Sequence, residues 1–271
     1  MLKISELSVN GVRCPAFLPC EGLRVSWVLE SDRRDVRQAT RRIRLESGVR
    51  TVWDSGVLED AQSVAVPLPL TLPPRTDFRL TVTVTDSVGE TAELSHAFAT
   101  ALNPGDWSAV WIRVRRPIVG WAPYLRTKFD LRAAPVRTAR LYVSGLGCEY
   151  YINGQKISED MIDPPMTNYN REVLYRIYDV SRFLPAGGGR CALAALLGEG
   201  WYAQSRVWAV GGFRYGDPCL CAQLEIVYED GQTQTVATGT EGGFSKCSPI
   251  VLNNLYGGET YDARLETPDF A

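Results

Sequence analysis

Alternation of apolar and polar residues with a period of two recurs along this chain and favours β-sheet. In the run LTVTVTD, Leu80, Val82 and Val84 are predicted to face a core, and the threonines between them to face water. Gly, Pro, Asp or Ser residues end most runs, and no helical 3.6-residue period of useful length occurs. The stretch GRCALAALLGEG is continuously apolar, as in a strand buried on both faces. An all-β fold follows.

The first hundred residues contain short strand-like runs about ten residues apart, which is typical of a β-sandwich. Trp27 is predicted to be an aromatic residue at the centre of its core. We assign this domain to residues 1–102. Its predicted strands lie at 23–31, 39–47, 51–56, 63–68, 78–90 and 96–100.

Asn-Pro-Gly within the segment ALNPGDWSAV (101–110) marks the predicted linker. Strand-like runs continue beyond it and are interrupted by prolines, so residues 103–271 are predicted to form a second, larger sandwich of jelly-roll type. Tyr151-Ile152-Asn153-Gly154-Gln155 is typical of a β-hairpin, because Asn and Gly accept the positive φ angles of its turn.

Composition excludes several classes of partner. The 271 residues include 29 basic and 31 acidic ones, too balanced for a phosphate-binding surface, so no nucleic acid is expected. No run reaches the roughly 18 apolar residues of a membrane helix, and MLKISELSVNGVRCP lacks the apolar core of a signal peptide. We therefore expect a cytoplasmic protein that does not contact membranes.

Its seven scattered cysteines are expected to be reduced, with a bridge or soft-metal site at Cys219 and Cys221 as the minor alternative.

Five segments of the second domain together resemble one known family. The resemblance extends strongly over about residues 107–266 and moderately over 1–100. The segments are LYVSGLGCEYYINGQKIS, TNYNREVLYRIYDVSRFL, ALLGEGWYAQSRVW, FRYGDPCLCAQLEIVYEDG and NLYGGETYDARLE. Together they resemble the N-terminal β-rich modules of bacterial α-L-rhamnosidases of glycoside hydrolase family 78, and the first domain resembles the fibronectin type III-like module that opens many of them.

The resemblance implies an immunoglobulin or fibronectin III-like domain followed by a larger sandwich, neither of them catalytic. In that family the catalytic acid and base lie in an α/α-barrel that follows these modules, so no catalytic residue is assigned here. The expected function is to support that catalytic domain, the partner in the same parent chain, with a contribution to recognition of rhamnose-containing glycans.

Candidate residues for carbohydrate binding or domain docking concentrate in two stretches. Aromatic rings pack against the C–H faces of pyranoses, and charged or amide side chains align hydroxyl groups. For Trp201 and Tyr202 the competing interpretation is that they cap the core or pack against the catalytic domain. The candidates are Asn168, Glu199, Trp201, Tyr202, Arg206, Trp208, Arg214, Tyr215, Asp217, Glu259 and Asp262.

No cofactor and no metal ligand are assigned, although a related module of the family binds rhamnose with calcium. The segment PMTNY (165–169) corresponds to a stretch that usually reads GWTDY in the family, so Asn168 replaces an acidic residue and Met166 a tryptophan. Glu199 stands where Asp is common. Because Asn168 lacks the negative charge of the acidic residue it replaces, the calcium hypothesis is weakened, since calcium prefers several anionic oxygens.

Two further hypotheses stay open beside the accessory role. One is an independent carbohydrate-binding protein without an enzymatic parent. The other is a free-standing hydrolase that uses acids of the second sandwich, which needs two opposed carboxylates. A single histidine, His96, is predicted to face solvent, which argues against histidine-based catalysis or zinc binding.

Overall fold

The protein is described from a computed structural model covering residues 1–207, 211–239 and 243–267. The chain is divided into two compact units, Met1–Trp107 and Ser108–Ala271. Over these described residues the regular structure consists of strands and three single-turn 3₁₀ helices, with no α-helix. The prediction of an all-β fold is confirmed.

The first unit is a sandwich of two sheets. One sheet has the strand order β2-β1-β4-β8, and the other has β3-β10-β9-β5-β6 with β7 also paired to β5. A 3₁₀ helix follows at Pro104–Asp106. The strands are β1 (Leu2–Val9), β2 (Val12–Arg13), β3 (Phe17–Leu18), β4 (Arg24–Ser31), β5 (Gln38–Ser47), β6 (Arg50–Asp54), β7 (Leu58–Glu59), β8 (Val66–Pro67), β9 (Asp77–Asp86) and β10 (Thr91–Thr100).

The core of the first unit lies between these sheets and follows the predicted alternation. Leu80, Val82 and Val84 of β9 are buried in one hydrophobic cluster with Trp27 of β4. Burial of such side chains stabilises the fold by about 1.5–3 kcal/mol each. The indole Nε1 of Trp27 donates a hydrogen bond of 3.0 Å to Oε1 of Gln38, so its one polar atom is satisfied.

Two polar residues of this unit are less exposed than their positions in the alternation predict. Thr81 is only 2% exposed, because β9 lies between β5 and β10 and its hydroxyl pairs with that of Ser95 at 2.9 Å. The ring of His96 is half-buried, and its Nε2 lies 2.8 Å from the carbonyl oxygen of Pro15. Neighbouring strands and loops cover side chains that a single strand would leave in water.

The second unit is also built from two main sheets, with two added hairpins. Their orders are β11-β20-β13-β16, with β21 paired to β20, and β15-β14-β17-β12-β22; β18 pairs with β19 and β23 with β24. The 3₁₀ helices are Ser181–Phe183 and Ala263–Leu265. The strands are β11 (Ile112–Arg113), β12 (Pro123–Leu131), β13 (Val136–Ser144), β14 (Cys148–Ile152), β15 (Gln155–Lys156), β16 (Arg176–Asp179), β17 (Gly189–Leu197), β18 (Ala203–Val207), β19 (Gly211–Arg214), β20 (Cys219–Tyr228), β21 (Thr233–Ala237), β22 (Gly243–Cys247), β23 (Ile250–Asn254) and β24 (Gly258–Tyr261).

Two local predictions for this unit are confirmed. The apolar stretch forms β17, in which the consecutive residues Ala194 and Ala195 are both buried. Asn153 and Gly154 have φ angles of 50° and 80° in the turn that joins β14 to β15, as the hairpin requires. These strands contribute to one buried cluster, so two consecutive β-sandwiches are present.

Within the described part of the chain, no helix has the length and apolar character needed to cross a membrane.

Candidate functional site

The loop Gly198–Tyr202 connects β17 to β18 and carries three of the candidate side chains. It lies against the turn before β14, where the amide of Gly198 donates to the carbonyl oxygen of Gly147 at 3.1 Å. Gly200 has a φ of +48°, and a β-carbon there would lie 2.4 Å from the carbonyl oxygen of Leu146. The glycines therefore let this loop approach the neighbouring backbone, and that approach fixes the position of Glu199.

Glu199 points into the protein and is only 2% exposed. Its Oε1 accepts the backbone N–H of Gly120 at 3.0 Å, and its Oε2 accepts both the N–H (2.9 Å) and the hydroxyl (2.7 Å) of Ser205. The side-chain amide of Asn254 donates to Oε2 at 3.3 Å. The carboxylate thus binds donors from three separate segments of this chain, which offsets the cost of burying it.

Asn253 reinforces the same connection from β23. Its Oδ1 accepts the backbone N–H of Glu199 at 2.6 Å, and its Nδ2 donates to the carbonyl oxygen of Gly120 at 2.8 Å. The Gly198–Tyr202 loop is consequently held to the β23–β24 hairpin by side-chain hydrogen bonds.

An exposed apolar surface lies beside this connection, and we call it the hairpin face. Tyr256, 52% exposed, makes an edge-on ring contact with Trp201 at 6.4 Å between centroids. Leu255, Met161 and Ile162 line a neighbouring groove of about 500 Å³, whose lining also includes Glu259. The hairpin face is defined by Met161, Ile162, Trp201, Leu255 and Tyr256. Grouped apolar surface of this kind is typical of an interaction site.

A second concave surface is built from three tyrosines, and we call it the tyrosine groove. The ring of Tyr169 stands edge-on to those of Tyr202 (5.4 Å) and Tyr215 (5.1 Å), which are stacked on each other at 5.9 Å. The groove has a volume of about 470 Å³. Its lining is completed by Trp111, Ile112, Arg113, Leu146, Val173, Gly216, Asp217 and Cys219.

Charged groups lie at the tyrosine groove. Asp217 forms ion pairs with Arg113 at 3.2 Å and with Arg214 at 2.7 Å. Burial is the main cause that raises the pKa of Tyr202, so this phenol stays protonated at neutral pH. The groove therefore offers aromatic rings, hydroxyl groups and an arginine–carboxylate pair on one surface.

The structure places the predicted candidates in different environments. It brings Tyr202, Tyr215 and Asp217 together in the lining of the tyrosine groove, and Arg214 joins them through its ion pair with Asp217. Asn168 is exposed in the turn before Tyr169, with its Oδ1 accepting the N–H of Asn170 at 3.2 Å. Trp208 lies outside the described residues, as does the side chain of Arg206.

Sequence reasoning missed most of the lining of the tyrosine groove, including three aromatic or charged residues: Trp111, Arg113 and Tyr169. Tyr169 adjoins the candidate Asn168, while Trp111 and Arg113 precede the nearest other candidate by more than fifty positions. β11 pairs with β20 and thereby places Arg113 beside Cys219. The signal available in the sequence was the aromatic character of Trp111 and Tyr169, which alone does not distinguish a groove from a core.

Asn168 by itself offers few of the oxygen ligands that a calcium ion requires. The amide oxygen of Asn168 already accepts a backbone hydrogen bond, whereas calcium requires six to eight oxygen ligands. Across the ranges described above, no group of three or more His, Cys, Asp or Glu side chains is placed to hold a metal. All seven cysteines are free thiols, including Cys219 and Cys221.

The acids near these surfaces differ in how their surroundings shift their pKa values, and a glycosidase pair needs one acid that holds its proton near neutral pH. The guanidinium of Arg264 lowers the pKa of Asp262 to about 2. Hydrogen bonding to Ser158 lowers the pKa of Asp160. Burial raises the pKa of Asp163, but its carboxylate accepts a hydrogen bond from Tyr178.

Two consecutive sandwiches, the second with a tyrosine groove and an exposed apolar face, define a two-domain all-β protein. One family model, the Rha78A-like N-terminal immunoglobulin domain, matches residues 4–103. A second, the alpha-L-rhamnosidase N-terminal domain, matches residues 134–271. The chain belongs to this α-L-rhamnosidase N-terminal domain family, which confirms the resemblance predicted from its sequence.

Relatives and a solved structure agree with this assignment. An α-L-rhamnosidase of Streptomyces avermitilis is 39% identical over 171 residues, covering 62% of this chain and 16% of the relative. An α-L-rhamnosidase of Formosa agariphila is 28% identical over 309 aligned positions, which cover 99% of this chain and 32% of the relative. The structure of an α-L-rhamnosidase from Dictyoglumus thermophilum matches with a TM-score of 0.86 and 26% sequence identity. The match covers 98% of this chain and 32% of that protein. The chain spans about a third or less of the length of these proteins.

Proposed function

We propose that this chain is a non-catalytic accessory part of an α-L-rhamnosidase. Its two sandwiches support a catalytic domain of the same parent chain, and the second sandwich contributes to recognition of rhamnosides. The observation that carries the proposal is the pair of family matches. Together they cover most of the chain, and both are N-terminal modules of α-L-rhamnosidases.

The hairpin face supports the docking role. Four of its five side chains are exposed, although side chains of this size are usually buried: Met161, Ile162, Leu255 and Tyr256. Glu199 and Asn253 hold the loop and the hairpin that form this face, so the surface is rigid before it meets a partner. A rigid apolar surface loses little conformational entropy on docking. We therefore assign the hairpin face to contact with the catalytic domain.

Hydrolysis of p-nitrophenyl α-L-rhamnoside by the 271-residue chain tests the non-catalytic role. We expect release of p-nitrophenol at the buffer rate, because the chain matches only the N-terminal modules of α-L-rhamnosidases. The control is the full-length Streptomyces avermitilis relative under the same conditions. Turnover by the chain that disappears in Glu259→Gln or Asp262→Asn would overturn the proposal.

A chimera tests the supporting role. The segment of the Streptomyces avermitilis relative that matches this chain is deleted, or is replaced by the corresponding residues of this chain. We expect deletion to abolish hydrolysis and replacement to restore part of it. Tyr256→Ala in the chimera should reduce the restored activity, because it removes an exposed ring of the hairpin face. Full activity of the deletion variant would contradict a supporting role.

A further inference from the structure

We propose that the tyrosine groove is a binding site for a saccharide, with a pyranose ring lying against Trp111 and the tyrosines and its hydroxyl groups paired with Arg113 and Asp217. That the sugar is a rhamnose residue rests on the proposed function, whereas the position of the binding site is inferred from the geometry of the groove.

The size and rigidity of the groove fit a small ligand. Its volume of about 470 Å³ falls within the range of about 300–1,000 Å³ that is usual for small-molecule sites. The three tyrosine rings hold one another by contacts of 5.1 to 5.9 Å, so little side-chain freedom remains to be lost on binding.

Trp111 supplies aromatic surface that the protein leaves uncovered. Its side chain is 46% exposed at the edge of the groove, immediately before β11. The C–H groups on one face of a pyranose carry a slight positive charge and are attracted to the negative face of an aromatic ring. Val173, which is 37% exposed and also in the lining, adds aliphatic surface of the kind that would contact the methyl group of a 6-deoxy sugar.

The ion pairs at the groove offer both kinds of hydrogen-bonding partner. A guanidinium has five N–H donors and a carboxylate has about four acceptor positions, so the contacts among Arg113, Asp217 and Arg214 leave capacity on both groups. Adjacent hydroxyls of a sugar can accept from an arginine and donate to a carboxylate. This pairing offers donors and acceptors side by side, as a polyhydroxylated ligand requires.

Tyr169 provides an independent observation. Its hydroxyl is buried and has no hydrogen-bond partner among the residues described. A buried polar atom without a partner costs about 1–3 kcal/mol, and native proteins usually satisfy such atoms. Burial also raises the pKa of Tyr169, so the group stays a donor at neutral pH. A sugar hydroxyl in the groove would supply the acceptor, which gives the unpaired phenol a role in binding.

Calorimetric titration of the 271-residue chain with methyl α-L-rhamnoside, and separately with methyl α-D-glucoside, tests the site. We expect saturable binding of the rhamnoside, with a Kd on the order of 1 mM. Trp111→Ala should weaken binding about tenfold or more, and Arg113→Gln and Tyr169→Phe severalfold each. Tyr256→Ala is the matched control, because it removes an exposed ring outside the groove, and it should leave Kd unchanged.

The outcomes separate this site from the accessory role. If the glucoside binds, the rhamnoside does not, and glucoside binding is lost in Trp111→Ala, then the groove is a saccharide site. That result would remove the rhamnoside part of the proposed function. Absence of saturable binding for both sugars overturns the groove, whatever the chimera shows. Rhamnoside binding that falls equally in Tyr256→Ala and Trp111→Ala also overturns it. Circular dichroism of each variant confirms folding, and Tyr169→Phe, which removes one oxygen atom, keeps the test decisive if Trp111→Ala unfolds.

Discussion

Gly147 and Gly200 approach each other so closely that neither position has space for a side chain. A β-carbon on Gly147 would lie 2.7 Å from the α-carbon of Gly200, and both residues have positive φ angles. One glycine precedes β14 and the other lies in the loop after β17. Their contact brings the carbonyl oxygen of Gly147 within reach of the Gly198 amide and so places Glu199 inside the protein.

Gly200→Ala is expected to destabilise the second unit strongly. The new methyl group would overlap the carbonyl oxygen of Leu146, and the φ of +48° would become strained as well. We expect a loss of about 3 kcal/mol or more in the free energy of unfolding, measured by urea denaturation. Gly231→Ala is the control, since its φ is +81° but no atom lies within 4 Å, and strain alone should cost about 1–2 kcal/mol. Equal losses in both variants would show that the close approach is unimportant.

Glu199→Gln is expected to lower stability by about 1–3 kcal/mol. An amide nitrogen would replace one carboxylate oxygen and would face the N–H of Gly120 or the donors of Ser205. Urea midpoints at unchanged m-value measure the loss. Glu259→Gln, on the exposed strand β24, should change the free energy of unfolding by no more than about 0.5 kcal/mol. A stable Glu199→Gln protein would mean that the buried network does not hold the loop.

Acid should weaken the first unit through Asp54. Hydrogen bonding to Arg42, and then to the N–H of Gly56, lowers the pKa of Asp54 to about 2. Because the folded pKa lies below the unfolded value of about 3.9, this contribution is complete above that value and is lost as pH falls towards 2. Thermal melts between pH 5 and pH 2 should show a smaller decline for Asp54→Asn than for the wild type. Arg42→Met should remove the larger part of the same decline, because the Gly56 N–H still bonds Asp54, and adding it to Asp54→Asn should have no further effect on the decline.

Thiol accessibility should match the seven free cysteines. Cys14 and Cys247 are exposed and should react quickly with Ellman's reagent. Cys219 should react slowly near pH 8, because burial raises its pKa to about 11 and little thiolate is present. The remaining four are buried and should react only on unfolding: Cys20, Cys148, Cys191 and Cys221. Fewer than seven reactive thiols in denaturant without reductant would reveal a disulfide.

Local pattern was sufficient to predict the strands and several turns. The alternation around Leu80 and Val82 identifies a buried face, and Asn153-Gly154 identifies a hairpin, because both depend on neighbours within a few residues. Exposure was harder to predict at Thr81, since the residues that cover it come from other strands.

The candidate site required the tertiary structure. The sequence identified aromatic and charged residues between 198 and 217 and the modules to which they belong, because composition and motif order are properties of the chain itself. It could not distinguish the buried Glu199 from the surface-lining Tyr202, three positions away. The strand pairing that brings Trp111 and Arg113 to the groove, and the glycine contact that turns Glu199 inwards, join residues distant in sequence. Such contacts depend on how sheets pack, which no local pattern encodes.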